Sequence, residues 1–396
     1  MAPAVSPLPP NFTLLQVTPE LETGGAEQTT IDIAAAVTRA GGRALVASRG
    51  GRMAPALKAA GGELIALPVQ SKNPLVMALN ARRLAAIIRR EKVSLVHARS
   101  RAPAFSALWA ARATGVPFLA TYHGVYEAHG ALKRWYNAIM TKGPLVIANS
   151  EHTRDHVIAE HGLAPERVIA IPRGVDLARF DPEAVAPERV DALRQAWGLE
   201  DDTRVKVLLA GRLTRWKGQG LLVDAAARLA QAQTQGGGRR DFVILLVGDD
   251  QGRSGYRAEL EAQIAREGLE GQVKLVGHCA DMPAAYLLAD WVVAPSLKPE
   301  PFGRTAVEPQ VMGRPVLAAD HGAARETVVE GETGWLAAPN DPEAWAAALN
   351  RALALYPAQR AAMGAAARAR ATRLYSAEAM GAATLAVYAR LMETGA

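Results

Sequence analysis

The sequence predicts an α/β fold of two doubly wound domains, each built around a parallel β-sheet. Short apolar runs of four to six residues alternate with longer segments that are rich in Ala and Leu. These runs often contain β-branched residues and are bounded by Gly, Pro or charged residues, which is typical of buried parallel strands. The alternation occurs on both sides of a Pro- and acid-rich segment at residues 180–200, so we expect the domain linker there.

The apolar runs and the segments between them predict the elements in order. In the first domain, strands are predicted at residues 12–17, 44–48, 93–97, 118–121, 145–148 and 168–171, and helices at residues 28–40 and 78–91. In the second domain, strands are predicted at residues 205–210, 242–247, 273–276, 291–294 and 315–319, and helices at residues 219–234 and 256–267.

The predicted domain limits follow from this pattern. The first domain covers residues 1–183, the second covers 184–375, and a C-terminal helix at 376–396 packs back toward the first domain. Doubly wound sheets bind ligands at the carboxyl ends of their strands, so two such domains would face a central substrate cleft.

Composition favours a globular protein, because 49% of the 396 residues are hydrophobic and 21% are charged. The single cysteine, Cys279, excludes a disulfide framework and a multi-cysteine metal site. Residues 1–11 lack the basic segment of a signal peptide, and no apolar stretch reaches about 18 residues. We therefore expect a cytoplasmic protein.

Charge is unevenly distributed along the chain. Residues 1–180 carry a net charge of +9 and residues 181–396 a net charge of −3. Nine basic residues and one acid lie between Lys72 and Arg112. Solvated basic faces explain this pattern as well as an anionic partner does. If a partner is involved, we expect an anionic membrane surface at the inner face of the cytoplasmic membrane, and not a nucleic acid.

In each domain, one motif with candidate phosphate-binding residues follows the first strand. Gly24 and Gly25 would let backbone N–H groups approach a phosphate at a helix N-terminus, although a simple tight turn is an equal alternative. Arg212 and Lys217 lie five residues apart on a loop that enters a helix, where a guanidinium fork and an ammonium suit a diphosphate. The alternative for this pair is a basic surface loop.

Glu300 and Glu308 flank a Pro-Phe-Gly turn that leads into a predicted helix. Carboxylates accept hydrogen bonds from sugar hydroxyls, and Gly303, Arg304 and Thr305 expose backbone N–H groups at the helix start, where a phosphate is favoured. A chance pair of glutamates is common in a chain with 39 acidic residues, so this interpretation depends on the turn between them.

His123 ends a predicted strand of the first domain and is followed by glycine. A histidine at this position can contact substrate hydroxyls or stabilise developing charge, whereas the alternative is a structural histidine. His97 and Arg99 follow another strand and are secondary candidates.

Taken in order, these motifs resemble the retaining nucleotide-sugar glycosyltransferases of family 4, of the bacterial envelope-glycan type, which have the GT-B fold of two Rossmann-like domains. The resemblance covers almost the whole chain and rests on residues 24–27, 123–124, 148–150, 172–176, 211–212, 217–218, 247–248, 294–296, 300 with 308, 313–316 and 333–336. Arg173, Arg304, Thr305, Pro309 and Gln310 depart from the family pattern, which leaves the donor's identity open.

The resemblance implies roles for the candidate residues. The implied catalytic residues are His123, Glu300, Arg212 and Lys217. The implied donor-binding residues are Gly24, Gly25, Arg212, Lys217, Phe302, Gly303, Arg304, Thr305 and Glu308. Arg212 and Lys217 would hold the diphosphate, Glu308 the ribose hydroxyls, and Glu300 and His123 the transferred sugar.

The resemblance also implies the reaction, which is retaining transfer of a hexosyl group from a nucleotide diphosphate sugar to a lipid-linked, lipopolysaccharide or polysaccharide acceptor. The first domain would bind the acceptor and the second the donor. No cofactor or metal is expected, because Arg and Lys neutralise the diphosphate and no Asp-x-Asp motif ends a strand. The alternatives are another GT-B chemistry, such as a sugar-nucleotide epimerase or a phosphorylase, and a non-enzymatic sugar-binding module.

Overall fold

The chain folds into two compact α/β units. The computed structural model describes residues 8–22, 24–126, 130–236, 242–252 and 254–393. The first unit comprises the described parts of residues 1–174 and 375–396, and the second comprises those of residues 175–374. The second unit is therefore inserted, in sequence, between two parts of the first.

Within the described residues, the first unit holds seven parallel strands in one sheet, in the order β3-β2-β1-β4-β5-β6-β7. The strands are β1 (Thr13–Val17), β2 (Arg43–Ser48), β3 (Glu63–Ala66), β4 (Leu95–Ala98), β5 (Phe118–Tyr122), β6 (Val146–Ala148) and β7 (Val168–Ala170). The strand order reverses direction between β1 and β4, which makes this position the topological switch point of the sheet.

Helices of the first unit cover both faces of this sheet. They are α1 (Gly25–Arg39), α2 (Ala54–Ala59), α3 (Pro74–Arg90), α4 (Arg101–Thr114), α5 (Ala131–Asn137) and α6 (Glu151–His161). Successive side chains of a strand point to opposite faces, and accordingly Leu14 belongs to one hydrophobic core and Leu15 to the other.

Within the described residues, the second unit holds six parallel strands in the order β10-β9-β8-β11-β12-β13. The strands are β8 (Val205–Ala210), β9 (Phe242–Val247), β10 (Val273–Gly277), β11 (Trp291–Ala294), β12 (Val316–Ala319) and β13 (Gly334–Ala337). Its helices are α7 (Pro187–Ala196), α8 (Gln219–Gly236), α9 (Ser254–Arg266), α10 (Met282–Leu288), α11 (Arg304–Val311), α12 (Ala324–Thr327), α13 (Pro342–Ala354) and α14 (Pro357–Leu374). The switch point lies between β8 and β11.

The last helix, α15 (Ala377–Glu393), packs against α1 in the first unit. Leu385, Tyr388 and Leu391 of this helix are buried in the same core as Leu14 and Ile33. The hydroxyl of Tyr388 also lies 2.7 Å from Nδ1 of His97, a buried residue of β4. The core of the first unit is therefore completed by the end of the chain.

The predicted pair of doubly wound parallel sheets is confirmed, but two details differ. The first unit ends at residue 174 instead of 183, and residues 180–200 contain α7, where a strandless linker was expected. The reason is that the chain joins the second unit's core at once: Phe180 is buried with its ring centroid 6.3 Å from that of Tyr286, and Arg189 pairs with Asp281 at 2.7 Å.

Helix α3 lies on the sheet with an exposed basic side. Its apolar residues Leu84, Ile87 and Ile88 are buried in the core, whereas Arg82 and Arg83 are exposed. Among the described residues, no helix is long and apolar enough to cross a membrane.

Candidate functional site

The loops after β8 and β11 meet at the switch point of the second sheet. The backbone N–H of Leu297 donates to the carbonyl oxygen of Trp216 at 2.7 Å. Gly218 has a φ of +80°, and a β-carbon there would lie 1.9 Å from the carbonyl oxygen of Pro295. Only glycine fits this contact, so the sequence holds the two loops together at the position where doubly wound sheets bind ligands.

This contact brings Lys217 to Glu300. The Nζ atom of Lys217 lies 2.6 Å from Oε1 of Glu300, and the hydroxyl of Ser296 donates to the same oxygen at 2.8 Å. The two charged side chains are only 14% and 15% exposed, so water screens their attraction less than it would at the surface. Within the described residues, both hydrogen bonds to the Glu300 carboxylate are made to Oε1, which leaves Oε2 available to a ligand hydroxyl.

A third loop, after β12, fixes the backbone of Glu300. The N–H of Ala323 donates to the carbonyl oxygen of Glu300 at 3.0 Å. Gly322 has a φ of +60°, and a β-carbon there would lie 2.7 Å from that same oxygen. Nε2 of His321 donates a 2.8 Å hydrogen bond to the carbonyl oxygen of Ser296, and His321 lines a cavity with Glu300, Gly303 and Thr305.

Glu308 lies one turn inside α11 and is held by two side chains. Arg304 contacts its Oε1 at 2.6 Å, and the hydroxyl of Tyr286 donates to its Oε2 at 3.2 Å. Burial, together with the Glu308 carboxylate, raises the pKa of Tyr286 well above its usual range, so the phenol stays protonated as a donor. Arg304, predicted to line the sugar and phosphate site, forms an ion pair with Glu308 in this structure.

Two other predicted donor-binding residues, Arg212 and Phe302, differ in exposure: the first is exposed and the second is buried. Arg212 is exposed at the end of β8, with Nη1 3.4 Å from Oε1 of Gln251. Its carbonyl oxygen accepts a 2.9 Å hydrogen bond from Nε2 of Gln219, which fixes the loop. Phe302 is only 1% exposed as a whole residue, so its side chain lies in the core and does not face a ligand in this structure.

The remaining candidates lie at the switch point of the first sheet. Gly24 precedes α1 with a φ of +148°, and a β-carbon at Gly25 would lie 2.4 Å from Nη1 of Arg173. Arg173 in turn donates from Nη2 to the carbonyl oxygen of His123 at 3.1 Å. Burial, with Arg173 and Arg99 nearby, lowers the pKa of His123 well below its usual range, so its imidazole is neutral near pH 7.

The candidate residues thus fall into two sets, one in each unit. Sequence reasoning missed His321 and Tyr286. His321 follows a strand and precedes a glycine, the same signal that identified His123, so the sequence could have revealed it. Tyr286 lies within α10 and contacts Glu308 only through the packing of two helices, which no local pattern signals.

Comparison with known proteins gives matches in both units. The sequence profile described as "Glycosyltransferase Family 4" matches residues 23–179, and the one described as "Glycosyl transferases group 1" matches residues 191–370. The D-inositol 3-phosphate glycosyltransferase 1 of Catenulispora acidiphila is 33% identical over 300 residues, which cover 72% of this chain and 69% of that protein. The chain spans between about half and about two thirds of the length of the first curated relatives that it matches.

Two solved structures resemble the chain along its length. A glycosyltransferase from Rickettsia africae ESF-5 is 32% identical with a TM-score of 0.88, covering 97% of this chain and 99% of that chain. Anabaena HepE in complex with UDP-glucose is 26% identical with a TM-score of 0.79, covering 96% and 99%. These likenesses confirm the predicted GT-B fold. Two profiles match the chain, and the Catenulispora acidiphila relative is one third identical to it along most of that relative's length. The chain therefore belongs to the group 1 glycosyl transferase family.

Proposed function

We propose that this protein is a retaining glycosyltransferase that moves a hexosyl group from a nucleotide diphosphate sugar to an acceptor hydroxyl. The observation that carries the proposal is the half-buried pair of Lys217 and Glu300 at the switch point of the second sheet. It places a cation suited to phosphate beside a carboxylate suited to sugar hydroxyls.

A nucleotide diphosphate sugar is the donor that related structures support. HepE, which is 26% identical to this chain, has been determined with UDP and with UDP-glucose. We infer a donor of the same class here, with the diphosphate at Arg212 and Lys217, the ribose at Glu308 and the transferred sugar at Glu300.

The proposed chemistry needs few groups from the protein. The bond between the anomeric carbon and the phosphate oxygen breaks, and its electron pair leaves with the diphosphate. The acceptor oxygen forms the new bond on the same face, and its proton passes to an oxygen of the leaving diphosphate. Arg212 and Lys217 stabilise the growing negative charge, and Glu300 stabilises the positive charge that grows on the sugar ring.

We propose further that turnover needs neither a metal nor a cofactor, because two basic side chains can neutralise the diphosphate. Activity with magnesium-free enzyme in EDTA should stay close to that of the untreated enzyme. Loss of turnover in EDTA with recovery on addition of Mn²⁺ would mean that the diphosphate is held in another way.

For the acceptor, we propose a lipid-linked, lipopolysaccharide or polysaccharide glycan of the cell envelope, which suits the basic first half of the chain. A second candidate is a small polyol. It is favoured by relatives named for D-inositol 3-phosphate and, at 30% identity over 258 residues, for 2-deoxystreptamine in Streptomyces kanamyceticus.

We also propose that the first unit binds the anionic inner face of the cytoplasmic membrane. Arg82 and Arg83 lie on the exposed side of α3, and the same helix exposes 81% of Leu75. Leu132 and Trp135 of α5 are 79% and 63% exposed. Each Lys or Arg near an anionic surface contributes about 1 kcal/mol of attraction, and apolar side chains can insert between headgroups.

Vesicle co-sedimentation tests the membrane proposal. The protein should bind anionic vesicles at low salt, release at high salt and ignore neutral vesicles, because the attraction is screened over about 8 Å at physiological ionic strength. The double variant Arg82→Gln with Arg83→Gln should bind less, and the control pair Arg266→Gln with Arg373→Gln should bind as the wild type does. Equal binding to both vesicle types would refute membrane recognition by charge.

The enzymatic proposal is tested with a panel of UDP-, GDP- and ADP-sugars. We expect one of them to raise the melting temperature and to be turned over, with faster turnover when an envelope glycan acceptor or a polyol is added. Conversion to an epimer without acceptor would instead indicate an epimerase, phosphate-dependent cleavage a phosphorylase, and binding without turnover a sugar-binding protein.

A further inference from the structure

A narrow polar cavity lies at the switch point of the first sheet. Its polar lining includes residues that directly follow parallel strands: Arg99 after β4, His123 after β5 and Asn149 after β6. Arg173, three residues beyond β7, also lines the cavity, together with Thr29 of α1, Thr121 and Thr384. Carboxyl ends of strands at a switch point are where doubly wound sheets bind ligands.

Arg99 is a buried cation that has no acidic partner among the residues that the structure describes. Its side chain is 3% exposed, and its hydrogen bonds reach only neutral oxygens, Oε1 of Gln16 at 2.5 and 2.8 Å and Oγ1 of Thr121 at 3.4 Å. Among the described residues no carboxylate lies within ion-pair distance of it, and Asp32 acts on it only through longer-range attraction. A buried charge is normally paired, so this guanidinium has unmet capacity for an anion.

Two neighbours in the cavity have buried polar atoms with no hydrogen-bond partner in the part of the chain that the structure describes. These are both ring nitrogens of His123 and Oδ1 of Asn149. The amide of Asn149 is fixed by a 3.2 Å hydrogen bond from Nδ2 to the carbonyl oxygen of His123. Buried polar groups are satisfied in folded proteins, so these atoms and Arg99 together indicate a ligand with several polar atoms.

The cavity's size limits what can enter. It is too narrow for a whole sugar ring and admits only the oxygens of an end group. His123 and Arg173 are partly exposed, so the opening lies on their side. The ligand must therefore insert a compact polar group while the rest of it stays outside.

We propose that Arg99 and His123 form an oxyanion subsite that recognises a carboxylate or phosphate group carried by one of the two sugar substrates. This inference deepens the proposed glycosyl transfer and rests on it. The two sources are a uronic acid on the donor and a sugar phosphate as acceptor. Charge-assisted hydrogen bonds from a guanidinium to an oxyanion are stronger than those to a hydroxyl, so this subsite selects the charged substrate.

The experiment compares substrates that differ only in the charged group. The donor arm uses UDP-glucuronate against UDP-glucose, and the acceptor arm uses D-inositol 3-phosphate against inositol. In the arm whose substrate carries the recognised group, the wild-type kcat/KM should be about tenfold or more higher for the charged substrate than for the uncharged one. Arg99→Met should reduce that preference by about tenfold, Arg99→Lys should retain part of it, and the exposed control Arg39→Met, at the end of α1, should retain all of it.

The outcomes separate this subsite from the proposed function. Turnover without a charge preference in either arm, or an equal loss on both members of each pair in Arg99→Met, overturns the subsite and leaves the glycosyltransferase proposal standing. If the wild type turns over no nucleotide sugar, calorimetric titration with inorganic phosphate and with glucuronate still decides. Binding that Arg99→Met and Arg99→Lys weaken, and Arg39→Met does not, supports the subsite, whereas binding unchanged in all variants overturns it.

Discussion

Lys217 is the residue whose environment most directly supports phosphate chemistry. It is half-buried, paired with Glu300 at 2.6 Å and positioned by the backbone contact at Gly218. Lys298 lies in the same loop as Glu300 but is exposed, which provides a matched control.

We predict that Lys217→Ala and Arg212→Ala each lower kcat/KM for the donor by about tenfold to a hundredfold. In the proposed donor site, each variant removes a charge-assisted contact to the diphosphate, worth roughly 1.5–3 kcal/mol. Steady-state kinetics with purified variants measures the effect, and Lys298→Ala should behave as the wild type does. Near wild-type kinetics in both variants would remove these residues from the donor site.

The two glutamates are predicted to affect different kinetic constants. Glu308→Gln should mainly raise the donor KM, because ribose is remote from the bond that breaks, and its carboxylate is already oriented by Arg304 and Tyr286. Glu300→Gln should mainly lower kcat, because its charge stabilises the sugar ring in the transition state. The reverse pattern would exchange their roles.

The sequence identified candidate site residues, but it did not predict which side chains these residues contact. Arg304 and Glu308 were both expected to face the donor, yet they pair with each other because they are four residues apart on one helix. The pairing of Lys217 with Glu300 could not be predicted, since 83 residues separate them and only the strand order brings them together.

Among the elements, the three loops of the second unit that converge on Glu300 depend on glycines. A β-carbon at Gly218 would lie 1.9 Å from the carbonyl oxygen of Pro295, whereas Gly331 has a similar φ of +78° with nothing within 4 Å. An L-residue would be strained equally by the backbone conformation at either position. Only at Gly218 would its β-carbon also collide with a neighbouring loop.

Gly218→Ala should therefore destabilise the protein and lower kcat/KM at least tenfold, because the loop carrying Lys217 must move away from the loop carrying Glu300. Gly331→Ala should cost only about 1 kcal/mol and leave the kinetics unchanged. Denaturant unfolding and donor kinetics measure both variants. Equal effects in the two would show that backbone strain, and not the loop contact, matters at Gly218.

Strand prediction succeeded for the interior of both sheets and for β7 and β10 at one edge of each sheet, but it failed at the opposite edges. β3 and β13 were missed, and each lies at an edge of its sheet. β3 is largely exposed and begins with Glu63, so it lacks the continuous apolar run of a strand that is covered on both faces. The signal used for prediction comes from burial, and β3 carries little of it. β13 is buried, but it begins with Gly334 and its apolar run is only Trp335–Ala337.

Considered as a whole molecule, the protein should lose stability on mild acidification. Burial lowers the pKa of His97, His123 and His161 below the usual 6.5. The unfolded chain then binds protons that the folded chain does not, so stability is complete above pH 6.5 and falls below it, by up to about 1.4 kcal/mol per pH unit for each histidine. Glu27, whose pKa is raised by burial, acts in the opposite direction and offsets at most one of them.

Urea unfolding at pH 7.5 and pH 5.5 measures this dependence, and we expect a clearly lower midpoint at pH 5.5. His97→Gln should reduce the difference between the two midpoints, because one of the three titrating groups is gone. Carboxylates with lowered pKa, such as Glu63 and Asp281, titrate below 4.5 and do not contribute in this window. Identical midpoints at both pH values would contradict the burial of these histidines.

The return of the chain to its first unit at α15 sets an order for folding during synthesis. Residues 1–174 leave the ribosome first, but their core lacks Leu385, Tyr388 and Leu391 until the last helix has been made. Residues 175–374 contain every strand of the second sheet and can close it earlier. The unit that is translated earlier in this chain is therefore the unit whose core is completed later.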